Sequence, residues 1–368
     1  MDQRLDRIRF ILYTALLVIL FFYVIIVARA ILIPVSLAFL FATLIYPVYE
    51  LFIRLKFPKP LAVLASILLF IGIIAFAFML FIHQMQELVT DFPLMKQKAL
   101  EYLQLLKQSL EDNWGIDSAR LHFILTERIR FLFDTGSDFL RNVVNATAGT
   151  IFKLILIPVL MFYMLMIRDR FRESVVMLLK EERREQTERI MTQISNVIQR
   201  YITGVFSVIL ILCVLNSAGL YIVGVKYALI FGVISALFNL IPYFGNWIGA
   251  IFPLTYAFLT GDSPALFISV LILYAIIQFI EHNILTPNIT GSYVRINPLV
   301  IIISIIIGGL VWKVAGMLVV VPFIATLKII FENVDHLKPF AHLIGSDEIK
   351  HPIIIKKILE KFRFSKKS

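Results

Sequence analysis

The stretch 227–261, which contains 35 residues and no charge, limits the fold of this chain more than any other feature. A helix that crosses a membrane takes about 20 apolar residues, so this stretch is too long for one crossing. Pro242, Gly245 and Pro253 mark where a helix would break, because proline lacks an amide donor and glycine tolerates turn geometry. Such breaks survive at membrane depth only where protein or a water-filled cavity satisfies the freed backbone groups. The stretch therefore predicts broken or re-entrant membrane helices.

Composition indicates that the whole chain is a membrane protein. Hydrophobic residues make up 60% of the 368 residues and charged residues 16%, and the mean hydropathy is +0.88, which excludes an ordinary soluble domain. The net charge of +10 does not predict nucleic-acid binding, because the basic residues lie at the ends of apolar runs, where they orient the chain. Cys213 is the single cysteine, which excludes an internal disulfide and a cysteine-based metal cluster.

The N-terminal segments predict retained membrane helices. Three arginines precede an uncharged run at 10–28, and a second run at 30–49 follows directly. A secretory signal peptide is the alternative, but the first run exceeds the usual apolar region of about 7 to 15 residues. Because Arg29 alone separates the two runs, we expect a tight antiparallel hairpin. A third span is expected at 60–82.

The composition changes after the third span, because residues 83–153 carry eight basic and nine acidic side chains. Apolar residues recur there at helical spacing, and Asn113-Trp114-Gly115 is typical of a turn between two helices. We therefore expect two antiparallel helices outside the membrane. The near-neutral charge favours the outer side.

Residues 169–200 show one apolar face in a helical pattern, which predicts an amphipathic helix. This helix either lies on the inner membrane surface or packs on its own bundle. The last apolar segment, 298–327, is interrupted by Gly308-Gly309 and Lys313, so we expect a broken helix there as well. The resulting division is membrane helices in 1–82, an extramembrane helical insert in 83–145, a fourth membrane helix in 146–168, an amphipathic cytoplasmic helix in 169–200, a C-terminal membrane core in 201–332 and a basic cytoplasmic tail in 333–368.

Polar residues inside the C-terminal core predict a transport site. Gln278 and Glu281 are three residues apart, so they share one face of a helix. An acid at the end of a membrane helix, beside amides and broken helices, is typical of a substrate or ion site. The alternative is an interfacial acid that pairs with His282 or with a lysine. Lys313 is either a counter-ion of Glu281 or the marker of an interfacial turn.

The polar and helix-breaking residues form an extended motif. It runs Asn239-x-x-Pro242-x-x-Gly245-x-x-x-Gly249-x-x-x-Pro253, then Gln278-x-x-Glu281-x-Asn283-x-x-x-Pro287-x-x-x-Gly291, and later Asn297-Pro298, Gly308-Gly309, Gly316 and Pro322. This motif resembles the bacterial autoinducer-2 exporter family, also called PerM-like permeases. The resemblance implies about eight membrane helices, export of the signalling molecule autoinducer-2 or, in some members, sodium/proton antiport, and a homo-oligomer.

The sequence predicts a transporter and not an enzyme. No phosphate-binding loop, no His-Glu-x-x-His motif and no Gly-x-Ser-x-Gly motif is present, and no two histidines stand at metal-ligand spacing. We therefore expect no cofactor, no metal and no nucleic-acid partner. The remaining hypotheses are an exporter or antiporter, a passive channel and a membrane scaffold.

We expect an all-α polytopic bundle in the bacterial inner membrane, with both termini cytoplasmic, the lipid bilayer as its surroundings and a small molecule or ion as its substrate. The residues expected to bind that substrate are Asn239, Pro242, Gly245, Gly249, Gln278, Glu281, Asn283 and Pro287.

Overall fold

The computed structural model describes residues 2–114, 119–145, 147–240, 245–260, 264–289 and 296–346, which fold as helices with no strand among them. The longer helices are α1 (Asp2–Val27), α2 (Arg29–Arg54), α3 (Lys59–Trp114), α4 (Ala119–Asn145), α5 (Thr147–Met177), α6 (Glu181–Val223), α7 (Ala228–Phe238), α8 (Gly245–Thr260), α9 (Pro264–Ile280) and α11 (Pro298–Glu332). The short ones are a π-helical segment (Glu281–Leu285), α10 (Thr286–Ile289), a 3₁₀ turn (Asp335–Leu337) and α12 (Lys338–Ile344).

Several of these helices are membrane-spanning by length and composition. Within the described residues, five segments qualify: Arg29–Arg54, Lys59–Ser109, Glu181–Val223, Pro264–Ile289 and Pro298–Glu332. Two shorter apolar helices accompany them, at Leu12–Val27 and Ala228–Phe238. The predicted fold class, an all-α polytopic membrane bundle, is confirmed.

The junction between α1 and α2 is a bend and not the expected hairpin. Ala28 has near-helical angles (φ −80°, ψ 8°), its amide donates to Val24 O at 2.8 Å, and its carbonyl accepts from Leu32 N at 2.9 Å. Leu16 and Leu20 of α1 remain more than half exposed, so α1 does not pack back along α2. The hairpin prediction was wrong because a single arginine need not interrupt helical hydrogen bonding.

Helix α3 runs without a break from the third predicted span into the insert. Its 56 residues extend over roughly 80 Å, far beyond the thickness of a bilayer. The second half of α3 pairs with α4 through the Lys96–Asp134 ion pair (2.6 Å) and the Phe92–Phe133 ring contact (5.2 Å between centroids). We call this the insert end of the molecule. Gly115 and the three residues after it lie outside the described residues.

The opposite end carries the basic turn between α2 and α3. There Lys59 bonds to Asp169 of α5 at 2.7 Å, and the Arg168 guanidinium lies 3.7 Å from the ring centroid of Tyr46. We call it the basic end. The hydrogen bond that Lys59 donates to the Asp169 carboxylate raises the pKa of Lys59.

The amphipathic segment is two helices and not one. Helix α5 ends at Met177, and α6 begins at Glu181 and continues without interruption into the fifth span. Because α6 continues into an apolar span, its first turns cannot lie flat on a membrane surface. Its apolar face packs instead on α2 and α11, where buried Ile198 and Ile202 contact Leu40, Leu318 and Val319. This arrangement matches the alternative in which the helix packs on its own bundle.

Helix α11 is a helical hairpin, which confirms the predicted break. Trp312 (φ −130°, ψ 20°) and Lys313 (φ 54°, ψ −136°) leave helical geometry, and Lys313 adopts the left-handed region. The two arms then pack so closely that a Cβ at Gly308 would stand 2.6 Å from the carbonyl oxygen of Gly316. Trp312 Nε1 donates to Ile25 O at 3.0 Å, so the tip of the hairpin reaches the bend between α1 and α2.

Candidate functional site

Helices α7 and α8 form the second hairpin of the C-terminal core. With 11 and 16 residues they are about 16 and 24 Å long, shorter than the roughly 30 Å of a hydrocarbon core. Tyr227 lies beside the insert at the start of α7, so the hairpin enters from the insert end, and Asn239 and Gly245 meet on the two sides of its tip. Pro242, part of that tip, lies outside the described residues.

Glycines allow the two arms of this hairpin to meet. A Cβ at Gly245 would overlap the backbone carbonyl of Phe238, and a Cβ at Gly249 would overlap the backbone of Ser235. The rings of Phe238 and Phe252 stack across the same contact, with 5.6 Å between centroids. Both predicted glycine positions therefore set the backbone packing of α7 on α8.

Glu281 lies against the tip of this hairpin. Only 3% of it is exposed, and it opens the π-helical segment that follows α9. Asn246 Nδ2 donates to Glu281 Oε2 at 2.5 Å, and the Asn239 side chain also interacts with the carboxylate. π-Helical turns inside longer helices occur frequently at functional sites.

The hydrogen-bond partners of Glu281 are neutral, and the adjacent His282 interacts with its charge without bonding to it. Amide donors stabilise a carboxylate through their dipoles, but they do not cancel its charge. Asn246 Oδ1, at the same place, is buried and has no hydrogen-bond partner among the described residues. The arrangement thus combines a buried acid with unused acceptor capacity, which suits the binding of a proton, a cation or a hydrogen-bond donor.

The other predicted site residues lie apart from the carboxylate. Gln278 Nε2 bonds to His282 Nε2 at 2.7 Å, and Asn283 Nδ2 donates back to Phe279 O at 2.9 Å. Asn283 and Pro287 are exposed. Lys313 is exposed as well, at the tip of the α11 hairpin, which matches the interfacial-turn alternative.

A second buried polar group was not identified from the sequence. Pro253 has no amide hydrogen, so Gly249 O loses its usual helical donor. Ser235 Oγ donates to Gly249 O at 2.8 Å, and the Tyr274 hydroxyl lies 2.7 Å from Ser235 Oγ, where it can donate in turn. The Gly249-x-x-x-Pro253 spacing is the signal that could have indicated an orphaned carbonyl. Its partner, Ser235, lies on another helix, and no sequence pattern indicates that the two meet.

A third polar cluster lies at the insert end. Asp91 of α3 accepts from Lys226 Nζ at 2.8 Å and from the Tyr227 hydroxyl at 2.6 Å. Hydrogen bonds from Lys226 and Tyr227 hold the pKa of Asp91 below its usual value, and desolvation raises the pKa of Tyr227 to about 12. The cluster joins the insert to the start of α7.

Comparison with known families decides the identity. The family described as AI-2E family transporter matches this chain over residues 15–336. The chain belongs to the AI-2E transporter family. The resemblance inferred from the sequence motif is confirmed, and the chain is a multi-pass membrane transport protein.

Individual relatives cover most of the chain. Two relatives from Bacillus subtilis, both provisionally named transport proteins, are YueF and YrrI. YueF is 28% identical over 81% of this chain and 84% of its own length, and YrrI is 29% identical over 82% of this chain and 86% of its own length. The AI-2 transport protein TqsA of Escherichia coli is 25% identical over 83% of this chain and 87% of its own length.

Proposed function

We propose that this AI-2E transporter exports a small polar molecule from the bacterial cytoplasm, by a gradient-coupled or facilitated route, with Glu281 as the coupled group. The observation that carries the proposal is the buried Glu281 carboxylate, bonded to Asn246 at the tip of a re-entrant hairpin. Ionisable groups inside membrane helices are costly and commonly functional. The name of TqsA adds autoinducer-2 as a candidate substrate.

The proposed roles follow from the chemistry of the side chains. Glu281 is proposed to bind and release the coupled proton or cation, because burial disfavours a carboxylate whose charge no bonded cation balances. Asn246 and Asn239 orient the carboxylate through hydrogen bonds, and Asn246 Oδ1 remains available to a substrate. Of the other predicted residues, Gly245 and Gly249 allow α7 to pack on α8, and Pro242 stays a prediction outside the described residues. Gln278, Asn283 and Pro287 are proposed to extend the site along the helix that follows.

A sodium/proton antiporter of the same family is the second candidate, because a carboxylate with amide partners also suits a small cation. A passive channel would conduct downhill without Glu281. A scaffold would carry no solute at all.

Reconstitution in liposomes separates these functions. Purified protein is loaded into vesicles, and uptake of autoinducer-2 and of radiolabelled sodium is measured with and without imposed proton and sodium gradients. Accumulation of the polar solute that collapses with the gradient supports the proposed exporter. Gradient-driven sodium flux alone supports the antiporter, and gradient-independent equilibration supports the channel.

The proposed orientation places the basic end and both termini in the cytoplasm and the insert outside, because short basic loops stay on the cytoplasmic side. The test labels single cysteines in intact cells with a membrane-impermeant thiol reagent. The variants are Gln104→Cys in α3 and Gln186→Cys in α6, each in a Cys213→Ser background. Labelling only at position 104 supports this orientation, and labelling only at 186 reverses it.

We also propose a homo-oligomer, on the family resemblance alone. Gly219 of the fifth span is used within one chain, since a Cβ at this position would overlap Leu273. The mass of the purified protein in detergent tests this proposal.

A further inference from the structure

An open cavity of about 500 Å³, lined by both polar and apolar side chains, lies on the basic-end side of the Glu281 site, between α6, α2 and α10. Its polar lining residues are Asn196, Gln199, Arg200, Thr203, Ser207 and Asn288. The volume lies within the usual range for small-molecule sites, about 300 to 1,000 Å³.

The α6 wall of the cavity is a polar stripe that continues into a membrane helix. Asn196, Gln199, Thr203 and Ser207 recur every three or four residues, so they share one face. Thr203 and Ser207 lie in the fifth span, where a face against lipid would be apolar. The stripe is therefore suited to a hydrated cavity and not to a lipid contact.

Thr203 differs from several other helical threonines of the chain, although Thr126 of α4 shares its lack of a hydrogen-bond partner among the described residues. The hydroxyls of Thr187, Thr192, Thr260 and Thr326 each donate to the carbonyl four residues earlier, at 2.7 to 2.9 Å. Thr203 Oγ1 is buried and has no hydrogen-bond partner among the described residues. A buried hydroxyl without a partner is costly, so a bound molecule that draws the Thr203 side chain toward the cavity and bonds to its hydroxyl would bind more tightly.

The cavity is bounded on one side by α10, the helix that directly follows the Glu281 segment. Asn288 lies in α10, which follows the π-helical segment directly, seven residues or about 10 Å along the helix from Glu281. Leu285 and Ile289 pack on the apolar face of α6 beside Val208. A solute in the cavity would thus contact the same helical segment that carries the carboxylate.

We infer that this cavity is the entry site through which a hydroxylated solute without positive charge reaches Glu281. The inference rests on the proposed function and names its substrate class. Amides and hydroxyls match the donors and acceptors of a polyol, and buried polar groups need such partners. Arg200 supplies positive charge, and none of the described lining residues carries a carboxylate, so a cation is disfavoured.

The test uses three six-carbon probes that share a polyol chain: sorbitol (neutral), gluconate (anionic) and N-methylglucamine (cationic). Purified full-length protein with Ser207→Cys in a Cys213→Ser background is labelled with N-ethylmaleimide, and the labelling rate is measured against probe concentration. Sorbitol and gluconate are expected to slow labelling at least about fivefold, and N-methylglucamine is expected not to do so. Equal protection by N-methylglucamine, or none by sorbitol, overturns the assignment.

Two matched variants separate a binding role from a structural one. Thr203→Val keeps the shape of the side chain but removes its unpartnered hydroxyl. The sorbitol concentration that halves the labelling rate is expected to rise about threefold to tenfold. Thr326→Val removes a hydroxyl that is bonded within its own helix and is expected to change nothing. An unchanged value in Thr203→Val overturns the role of that hydroxyl.

The protection experiment and the liposome experiment can fail separately. Absence of sorbitol protection in a protein that still accumulates solute overturns the entry site alone. Intact protection in a protein without gradient-coupled transport overturns the proposed exporter and leaves the cavity as a binding site.

Discussion

Asp91 and Glu281 are both carboxylates bonded to neighbouring helices, but the protein surrounds them differently. Asp91 lies at the insert end with its side chain 31% exposed, and a cation, Lys226, bonds to it at 2.8 Å. Glu281 lies at the tip of the α7–α8 hairpin, 3% exposed, and its bonded partners Asn246 and Asn239 are neutral.

The difference indicates which of the two carboxylates can exchange a proton or cation. A proton that arrives at Asp91 must displace a paired ammonium group, and the pairing serves to join α3 to α7. A proton or cation that arrives at Glu281 meets a charge that no bonded neighbour cancels. The first arrangement is that of a structural contact, and the second is that of an exchangeable site.

The largest expected effect is that of Glu281→Gln. This change keeps size and hydrogen bonding but removes the titrating charge, so accumulation against a gradient is expected to fall at least about tenfold and lose its pH dependence. Downhill exchange is expected to survive. Asp91→Asn, the same chemical change at the paired carboxylate, is the matched control and is expected to keep accumulation within about twofold.

The measurement is solute uptake into liposomes at several pH values. Glu281→Asp is expected to retain part of the activity, since the charge persists on a shorter side chain. If uptake by Glu281→Gln keeps the wild-type dependence on pH, Glu281 serves only in helix packing. Glu281 would then have a structural role, as Asp91 has.

The second prediction concerns the packing that buries Glu281. In Gly245→Ala the new methyl group would overlap the Phe238 carbonyl and the Asn239 backbone, so α7 and α8 must separate. We expect a loss of about 3 kcal/mol in stability, seen as a lower yield of folded protein and a lower unfolding temperature. Gly72→Ala is the control, because no atom lies within 4 Å of the added methyl. A stable Gly245→Ala protein with blocked flux would instead indicate a cavity-lining glycine.

The break in α11 was predictable from local chemistry, because Lys313 is a charge in an otherwise apolar segment and marks its place without reference to other helices. The break expected at Pro253 was wrong: α8 continues through it from Gly245 to Thr260, and Ser235 Oγ bonds to the carbonyl that Pro253 leaves without a donor. The bend at Ala28 was missed because a charged residue between two apolar runs looks the same whether the chain reverses or continues. Only packing of α1, which stays largely exposed, distinguishes the two.

The partners within the site were less predictable than its centre. Glu281 was identified from its position among apolar residues, but helical periodicity assigned it Gln278 as a neighbour. The side chain that bonds to it, Asn246, is 35 residues away on α8. Which amide meets the acid depends on how two helices are packed, and a single sequence contains no direct record of that packing.

A smaller loss of stability is expected when the Ser235 contact between α7 and α8 is removed. Ser235→Ala leaves Gly249 O and the Tyr274 hydroxyl without their present partner, and about 2 kcal/mol of stability should be lost. Tyr274→Phe leaves the bond to Gly249 O intact, so a smaller loss is expected. Thermal unfolding in detergent measures both. Equal losses would mean that Gly249 O finds another donor and that the hairpin does not depend on this contact.

The smallest effect is expected at the paired carboxylate itself. Hydrogen bonds donated by Lys226 and Tyr227 hold the pKa of Asp91 below its usual value in the folded protein. The resulting stability is therefore present above the unfolded-state pKa of about 4 and is lost as the pH falls through the lower folded-state value. Asp91→Asn should lower the unfolding temperature by no more than about 3 °C at pH 7, because exposed ion pairs contribute little, and the difference should shrink at pH 3. If the difference instead persists unchanged at pH 3, the contact holds the insert through shape and neutral hydrogen bonds, and the charge that distinguishes Asp91 from Glu281 does not matter at that end of the molecule.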